Sequence, residues 1–380
     1  MRYMQFFAIG LMLLLTLTLV LPVPRRIERG TWLSRVRNMF ATGLTLLLVH
    51  FLLQFHLGLR DVGVTPSVML NLLFFIPASW MVNMGVLYLQ RQRKAYRYEW
   101  LVGFDVWMIV IFMMLVTLFR SKGSLLNGSR EILWIELFCS VLFAVMQFFY
   151  LYQQIRELRR MHQSLNEYYD QDMGDILRWL EVSIIILMVL AAPVPLIIFG
   201  PNWFLTIYGV LFFGGVYYLI INFMFFVVSR DFRQVQQAIG VVEEDKADAD
   251  RHPLLEDQKE TVVSTLTEKE SKRVESAVLQ WLASGGHLHN GITVQTAADE
   301  MRIPRHQLTA WLKTTDQKLF SSWVTSQRVE EAKRQMVAHP EWSNDIIAES
   351  CGFGSRSYFQ TVFRKTTGMT PLQFLENNKE

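Results

Sequence analysis

The chain has 380 residues, 51% of them hydrophobic and 19% charged, with a formal net charge of +3. Ordinary soluble domains are less apolar, so a wholly soluble globular protein is excluded, and so near-neutral a balance does not by itself announce a nucleic-acid partner. The two cysteines, Cys139 and Cys351, fall in different parts of the chain and cannot build a disulfide framework.

A bilayer-crossing helix needs about 20 largely apolar residues. Seven stretches meet or approach this requirement: 4–23, 38–58, 68–89, 101–119, 131–152, 179–199 and 203–228. The apolar excess is confined to residues 1–228, which predicts a transmembrane bundle of seven helices. Lys and Arg mark the cytoplasmic loops. One set of loops holds Arg25, Arg26, Arg29, Arg35, Arg37, Arg91, Arg93, Lys94, Arg97, Arg156, Arg159, Arg160 and Arg178. The other holds Arg2, Arg60, Arg120, Lys122 and Arg130. Thirteen against five puts the first set inside, with the N-terminus outside and the C-terminal segment in the cytoplasm. No exterior loop is long enough to fold as a domain, so a signal from outside is read within the bundle or by a partner.

Polar groups inside spans are costly and default to a functional reading. His50 and Gln54 share a face of the second span, Trp80 and Asn83 lie midway along the third, and Glu136 begins the fifth. The plain reading of each is a hydrogen bond between helices. The sharper reading is that His50, Gln54, Trp80, Asn83 and Glu136 line a cavity for a small or lipid-soluble signal. Residues 229–268 form a cytoplasmic tether whose acidic stretch 243–260 is too poor in apolar groups to order itself.

From Lys269 the pattern changes to amphipathic helices of globular length. Residues 270–283 place Val274, Ala277, Val278, Trp281 and Leu282 on one face, before a stop at Gly285-Gly286. Two short helices follow, Thr293–Met301 and Arg305–Thr315, joined at Arg302-Ile303-Pro304. Leu308, Trp311 and Leu312 face inward on the second of these; Arg305, His306, Thr309, Ala310 and Lys313 face outward. After a longer helix over 321–338, the arrangement repeats: Ser343–Ser350, a turn at Cys351-Gly352-Phe353-Gly354, and a helix over 355–366. Phe359, Val362 and Phe363 form its buried stripe. Ser355, Arg356, Ser357, Gln360, Thr361, Arg364 and Lys365 are outward, and these side-chain types bond base edges and phosphates. Two helices joined by a tight turn, the second displaying small polar and basic groups, make a helix-turn-helix.

Ile347-Ala348, Gly352-Phe353, Ser357-Tyr358-Phe359, Val362-Phe363-Arg364-Lys365 and Thr367-Gly368-Met369-Thr370-Pro371 resemble the signature of the AraC/XylS family of bacterial transcription regulators. Arg328, Ala332 and Met336 match that family's linking helix. The first unit departs from the pattern at Pro304, Leu312 and Gln317. The resemblance implies seven helices over 269–380, with two recognition helices in successive major-groove segments. It also implies double-stranded DNA and RNA polymerase as partners. With the apolar spans the expected residence is the bacterial inner membrane, with the lipid bilayer as a further partner, and a homodimer would let two copies cooperate on DNA. The fold class expected is all-α throughout. The soluble half shows no phosphate-cradling glycine loop, metal-ligand spacing or nucleophile signature, so no cofactor, metal or catalytic residue is expected. The competing reading is a membrane receptor or transporter whose cytoplasmic domain binds a protein.

Overall fold

A computed structural model of the chain describes residues 2–21, 32–58, 64–91, 95–120, 130–170, 174–191, 202–228 and 266–377. The described residues are all-α, with fourteen α-helices and no strand beyond an isolated bridge. Contacts divide the chain into two compact units. The first comprises Met1–Arg160 and Leu177–Arg233; the second comprises Met161–Ile176 and Gln234–Glu380. The expected boundary at residue 228 therefore omits a segment: residues 161–176 lie with the C-terminal half. The tether over 229–265 lies outside the described residues, as do 22–23 of the first expected span and 192–199 of the sixth.

The first unit is built from α1 (Arg2–Val20), α2 (Trp32–Leu57), α3 (Val64–Arg91), α4 (Arg97–Arg120), α5 (Arg130–Tyr168), α6 (Gly174–Ala191) and α7 (Asn202–Val228). Six of these, all except α6, contain a segment long and apolar enough to cross a bilayer. The described part of α6 is only 18 residues long and carries Asp175, Arg178 and Glu181. The fifth expected element, 131–152, falls short of the observed helix. The polar stretch Gln153–Tyr168 consists of good helix formers and carries α5 on past its apolar part.

Glycines set the closeness of packing between α2 and α3. A Cβ on Gly43 would stand 2.9 Å from the Ala78 carbonyl, and one on Gly85 would stand 2.7 Å from the Phe40 ring. Only hydrogen at these positions lets the two backbones approach, as small residues do where helices associate without a hydrophobic drive.

In the second unit α8 (Glu268–Ala283) opens on a capping box. Thr267 accepts from the Glu270 N–H, and the Glu270 carboxylate accepts from the Thr267 N–H at 2.9 Å. A 3-10 turn (Gly286–Leu288) leads to α9 (Val294–Glu300), α10 (Arg305–Thr314), α11 (Phe320–Ala338), α12 (Asn344–Ser350), α13 (Arg356–Thr367) and α14 (Pro371–Asn377).

Two apolar cores form along α11. The first gathers Val274, Trp281, Ala297, Leu308, Leu312, Trp323 and Val324; the second gathers Val329, Met336, Ile347, Ala348, Phe359 and Phe363. Each core serves one pair of helices, α9–α10 or α12–α13, so α11 is the shared wall between two similar subdomains.

Candidate nucleic-acid interface

The two helix pairs turn the same corner with the same hydrogen bonds. In the second pair, Cys351 N–H donates to Ile347 O (3.1 Å) and Phe353 N–H to Ala348 O (2.8 Å). In the first, Met301 N–H donates to Ala297 O (3.0 Å) and Ile303 N–H to Ala298 O (3.1 Å). The residue at each corner has positive φ: Gly352 at 77° and Arg302 at 55°. Glycine adopts this conformation without cost, whereas arginine does not.

Ser355 caps α13, its hydroxyl accepting from Tyr358 N–H at 3.2 Å, so that hydroxyl is committed to the backbone. Phe359 and Phe363 are fully buried with ring centroids 5.5 Å apart, which fixes the rotation of α13. Arg356, Ser357, Thr361, Arg364 and Lys365 consequently stand exposed, while Gln360 is half-buried. The helix contains no acidic residue. Arg356 meets Asp345 of α12 at 3.1 Å, but both side chains are more than half exposed. An ion pair so open is worth little and yields readily to a phosphate. Cys351 lies beneath the helix, and burial pushes its thiol up to about 11, so it is a protonated apolar filler.

The first pair offers a sparser face. His306 and Lys313 of α10 are exposed, Arg305 is half-buried, and the Thr309 hydroxyl turns back onto Arg305 O at 3.0 Å. Ala310, expected outward, is buried against the fold because α10 is rotated to seat Leu308 and Leu312 in the first core. Pro304 precedes α10 and gives it no side-chain cap.

Sequence reasoning read Arg328 only as part of a linking-helix pattern. It is fully buried, and its Nη2 lies 2.7 Å from Asp170 Oδ2. Nothing local marks Asp170 as its partner.

The five polar residues expected to line a signal cavity are distributed differently. Asn83 donates to Gln147 Oε1 at 2.9 Å and accepts from Gln154 at 2.8 Å. Gln54 donates to Asn71 at 2.7 Å. His50 is packed among the rings of Phe51, Phe74 and Phe75, Trp80 is set edge-on to Trp100, and Glu136 is buried. A cavity of about 90 Å³ does exist in the first unit, with Ser79, Asn83, Gln147 and Tyr208 among otherwise apolar walls. Of the expected five, only Asn83 lines it. Gln54, His50 and Trp80 make their contacts with Asn71, Phe75 and Trp100 of neighbouring helices.

Residues 297–377 match a protein-family model described as a helix-turn-helix domain. The chain is 30% identical to the regulatory protein PocR of Salmonella typhimurium over 94 residues, covering 25% of this chain and 31% of that protein. It is 30% identical over 112 residues to an uncharacterized HTH-type transcriptional regulator of Pseudoalteromonas carrageenovora, covering 28% of this chain and 66% of the relative. It is 27% identical to the xylose operon regulatory protein of Escherichia coli K12 over 94 residues, 25% of this chain and 24% of that protein. The chain thus spans less than two thirds of each of these relatives. No solved structure matches it.

Proposed function

From the premise that the C-terminal helices are a helix-turn-helix domain of the AraC/XylS type, we propose that the chain is a membrane-bound, sequence-specific transcription regulator. The six long apolar helices α1–α5 and α7, with α6 as a seventh crossing, hold it in the bacterial inner membrane. Its N-terminus is outside, its second unit is in the cytoplasm, and RNA polymerase is its downstream partner. The excess of Lys and Arg in alternate loops supports that orientation, and the relatives named as transcriptional regulators support the output.

One observation carries the reading: α13 is locked by Phe359 and Phe363 while its outer face displays Arg356, Arg364 and Lys365 with no carboxylate of its own. Neutralising phosphates takes a basic face more than a basic domain, and a fixed helix with small polar groups between its cations can present them to a major groove. Ser357, Gln360 and Thr361 are assigned to base edges, and Arg305, His306, Thr309 and Lys313 of α10 to the second contact, which is the weaker one. Two copies bound together raise their effective concentration on paired sites. The signal reaches the protein through the bundle, and the cavity beside Asn83 suits a small apolar molecule carrying one hydrogen-bonding group.

Genome-wide mapping of bound DNA in cells compares the intact protein with an Arg356→Ala/Arg364→Ala double variant. Site-specific occupancy is expected to vanish while membrane insertion is unchanged. Unaltered occupancy removes α13 as the reading element.

A further inference from the structure

Arg328 sits midway along α11, between Val324 of the first core and Val329 of the second. Its Nε donates to His287 O at 2.8 Å, and its Nη2 donates to His289 O at 2.6 Å. Both carbonyls belong to the segment that enters the first helix-turn-helix. The corner of the second lies against the same place: a Cβ on Gly352 would stand 3.1 Å from Arg328 Nε and collide with the Leu288 carbonyl. The guanidinium thus lies at the seam between the two cores, bonded to the segment that enters the first helix pair and close against the corner of the second.

Its counter-charge comes from none of these elements. Asp170, two residues past the end of α5 and 158 positions from Arg328 in sequence, supplies the carboxylate. Asp170 Oδ2 also accepts from Gly291 N–H (3.0 Å) and Ile292 N–H (3.1 Å). The Asp170 N–H donates to Ile292 O at 3.0 Å, and its carbonyl accepts from Thr325 Oγ1 at 3.5 Å. Tyr169 forms an antiparallel bridge with Thr293, and Tyr168 packs on the first core. Asp170 is only 2% exposed and Tyr169 7%. A buried carboxylate with three donors, flanked by backbone pairing, is a built socket.

We propose that residues 168–170 are an intramolecular docking element of the DNA-binding domain, and that Asp170 is a positioning residue holding the two recognition helices in register. This deepens the proposed function and rests on its reading of the second unit as a two-site DNA reader. The nineteen residues of α11 span about 28 Å, close to the roughly 34 Å of one duplex turn that separates successive major-groove segments. A tilt at the seam, where Arg328 lies, displaces one recognition helix relative to the next groove. Because the docked residues follow directly on α5, a movement of that helix has a covalent route to the seam which bypasses the tether.

The test uses the full-length protein in lipid nanodiscs and the duplex it selects from a random pool. Tyr169→Cys with Thr293→Cys places thiols at a bridge pair whose Cα separation, about 4.5–5.5 Å, suits a disulfide; the native Cys139 and Cys351 are buried. A disulfide between the two is expected. Wild type should lose about tenfold in affinity or more when one base pair is inserted between the two half-sites. Asp170→Ala should bind the selected duplex about tenfold more weakly and show less than about threefold discrimination against the insertion. A merely structural loss would lower affinity for both duplexes alike and leave the spacing preference intact. Asp170→Asn, which keeps an acceptor for Gly291 and Ile292, should fall between, and it carries the comparison if the alanine variant does not accumulate. No cross-link, or spacing discrimination unchanged in the Asp170 variants, overturns the proposal. If wild type selects no duplex, the proposed function itself has failed, and the cross-link still decides whether the socket is occupied.

Discussion

Replacing Gly352 with alanine should loosen the second helix-turn-helix by an amount that can be built from two separate contributions. The first is conformational: φ is 77° at this corner, and a residue with a Cβ is disfavoured there by about 1–2 kcal/mol. The second is steric. The new Cβ would overlap the Leu288 carbonyl oxygen and stand 2.7 Å from its carbon. A backbone group of a neighbouring segment cannot rotate aside, and forcing atoms into a filled site costs about 1–3 kcal/mol. A total near 3 kcal/mol is a large part of the roughly 5–15 kcal/mol that holds a domain together. Gly368, at φ 79° with nothing within 4 Å of its would-be Cβ, incurs only the first contribution and serves as the control. Hydrogen exchange on the intact protein reads both, through the amides of Cys351 and Phe353 that close the corner. Gly352→Ala should accelerate them by roughly 150-fold, following the tenfold per 1.4 kcal/mol rule. Acceleration below about threefold, or no larger than that caused by Gly368→Ala, would refute the packing argument.

The equivalent corner invites the opposite change. Arg302→Gly should stabilise the first helix-turn-helix by about 0.5–1 kcal/mol, the relief at φ 55° less the entropy of a more flexible unfolded chain; slower exchange at the Ile303 amide is the readout, and faster exchange refutes it. His287 is buried, and desolvation holds its imidazole below the usual value of 6.5, opposed by nearby Glu331 and assisted by Arg328 and Arg334. A depressed folded value means that the unfolded chain takes up the proton first. The stability this neutral imidazole carries is complete above about pH 6.5 and is lost as the pH falls toward the folded value. Hydrogen exchange across the second unit of His287→Gln, followed from pH 7.5 to 5, should show a shallower acid loss than wild type; parallel profiles would refute the assignment.

The C-terminal helices were legible because their boundaries are written locally. Thr293, Ser343 and Ser355 cap three helices through hydrogen bonds spanning three residues, and such signals survive in the bare sequence. The Thr267–Glu270 box was passed over, since the expected tether ran to residue 268. The spacing of Phe359 and Phe363 gave the rotation of α13, and hence its outer face, for the same reason. Ala310 was misplaced because a small residue has too little hydrophobicity to announce which way it turns when Leu308 and Leu312 set the rotation. Apolar length located the bundle helices. It could not foresee that α5 runs on through Gln153–Tyr168, where helix propensity rather than hydropathy decides. Nor could it separate polar residues that pair between helices, such as Gln54 with Asn71, from ones beside a cavity, such as Asn83. Asp170 was invisible because its partner lies 158 positions away, and an aspartate close to Asp172 and Asp175 just past a helix end has no periodic context to single it out.

The isolated β-bridge and the carboxylate beside it bear on what cutting the chain between the apolar helices and the C-terminal helices would do. A protease that severed the chain between residues 229 and 265 would yield a C-terminal fragment whose buried guanidinium had left its counter-ion on the other piece. Stripping one member from such a pair costs about 3–5 kcal/mol, so the two pieces have reason to stay associated after cleavage. Scission would thus not amount to liberation. A recombinant fragment starting near residue 266 would be an incomplete fold, better produced with residues 161–170 supplied as a peptide or a fused leader.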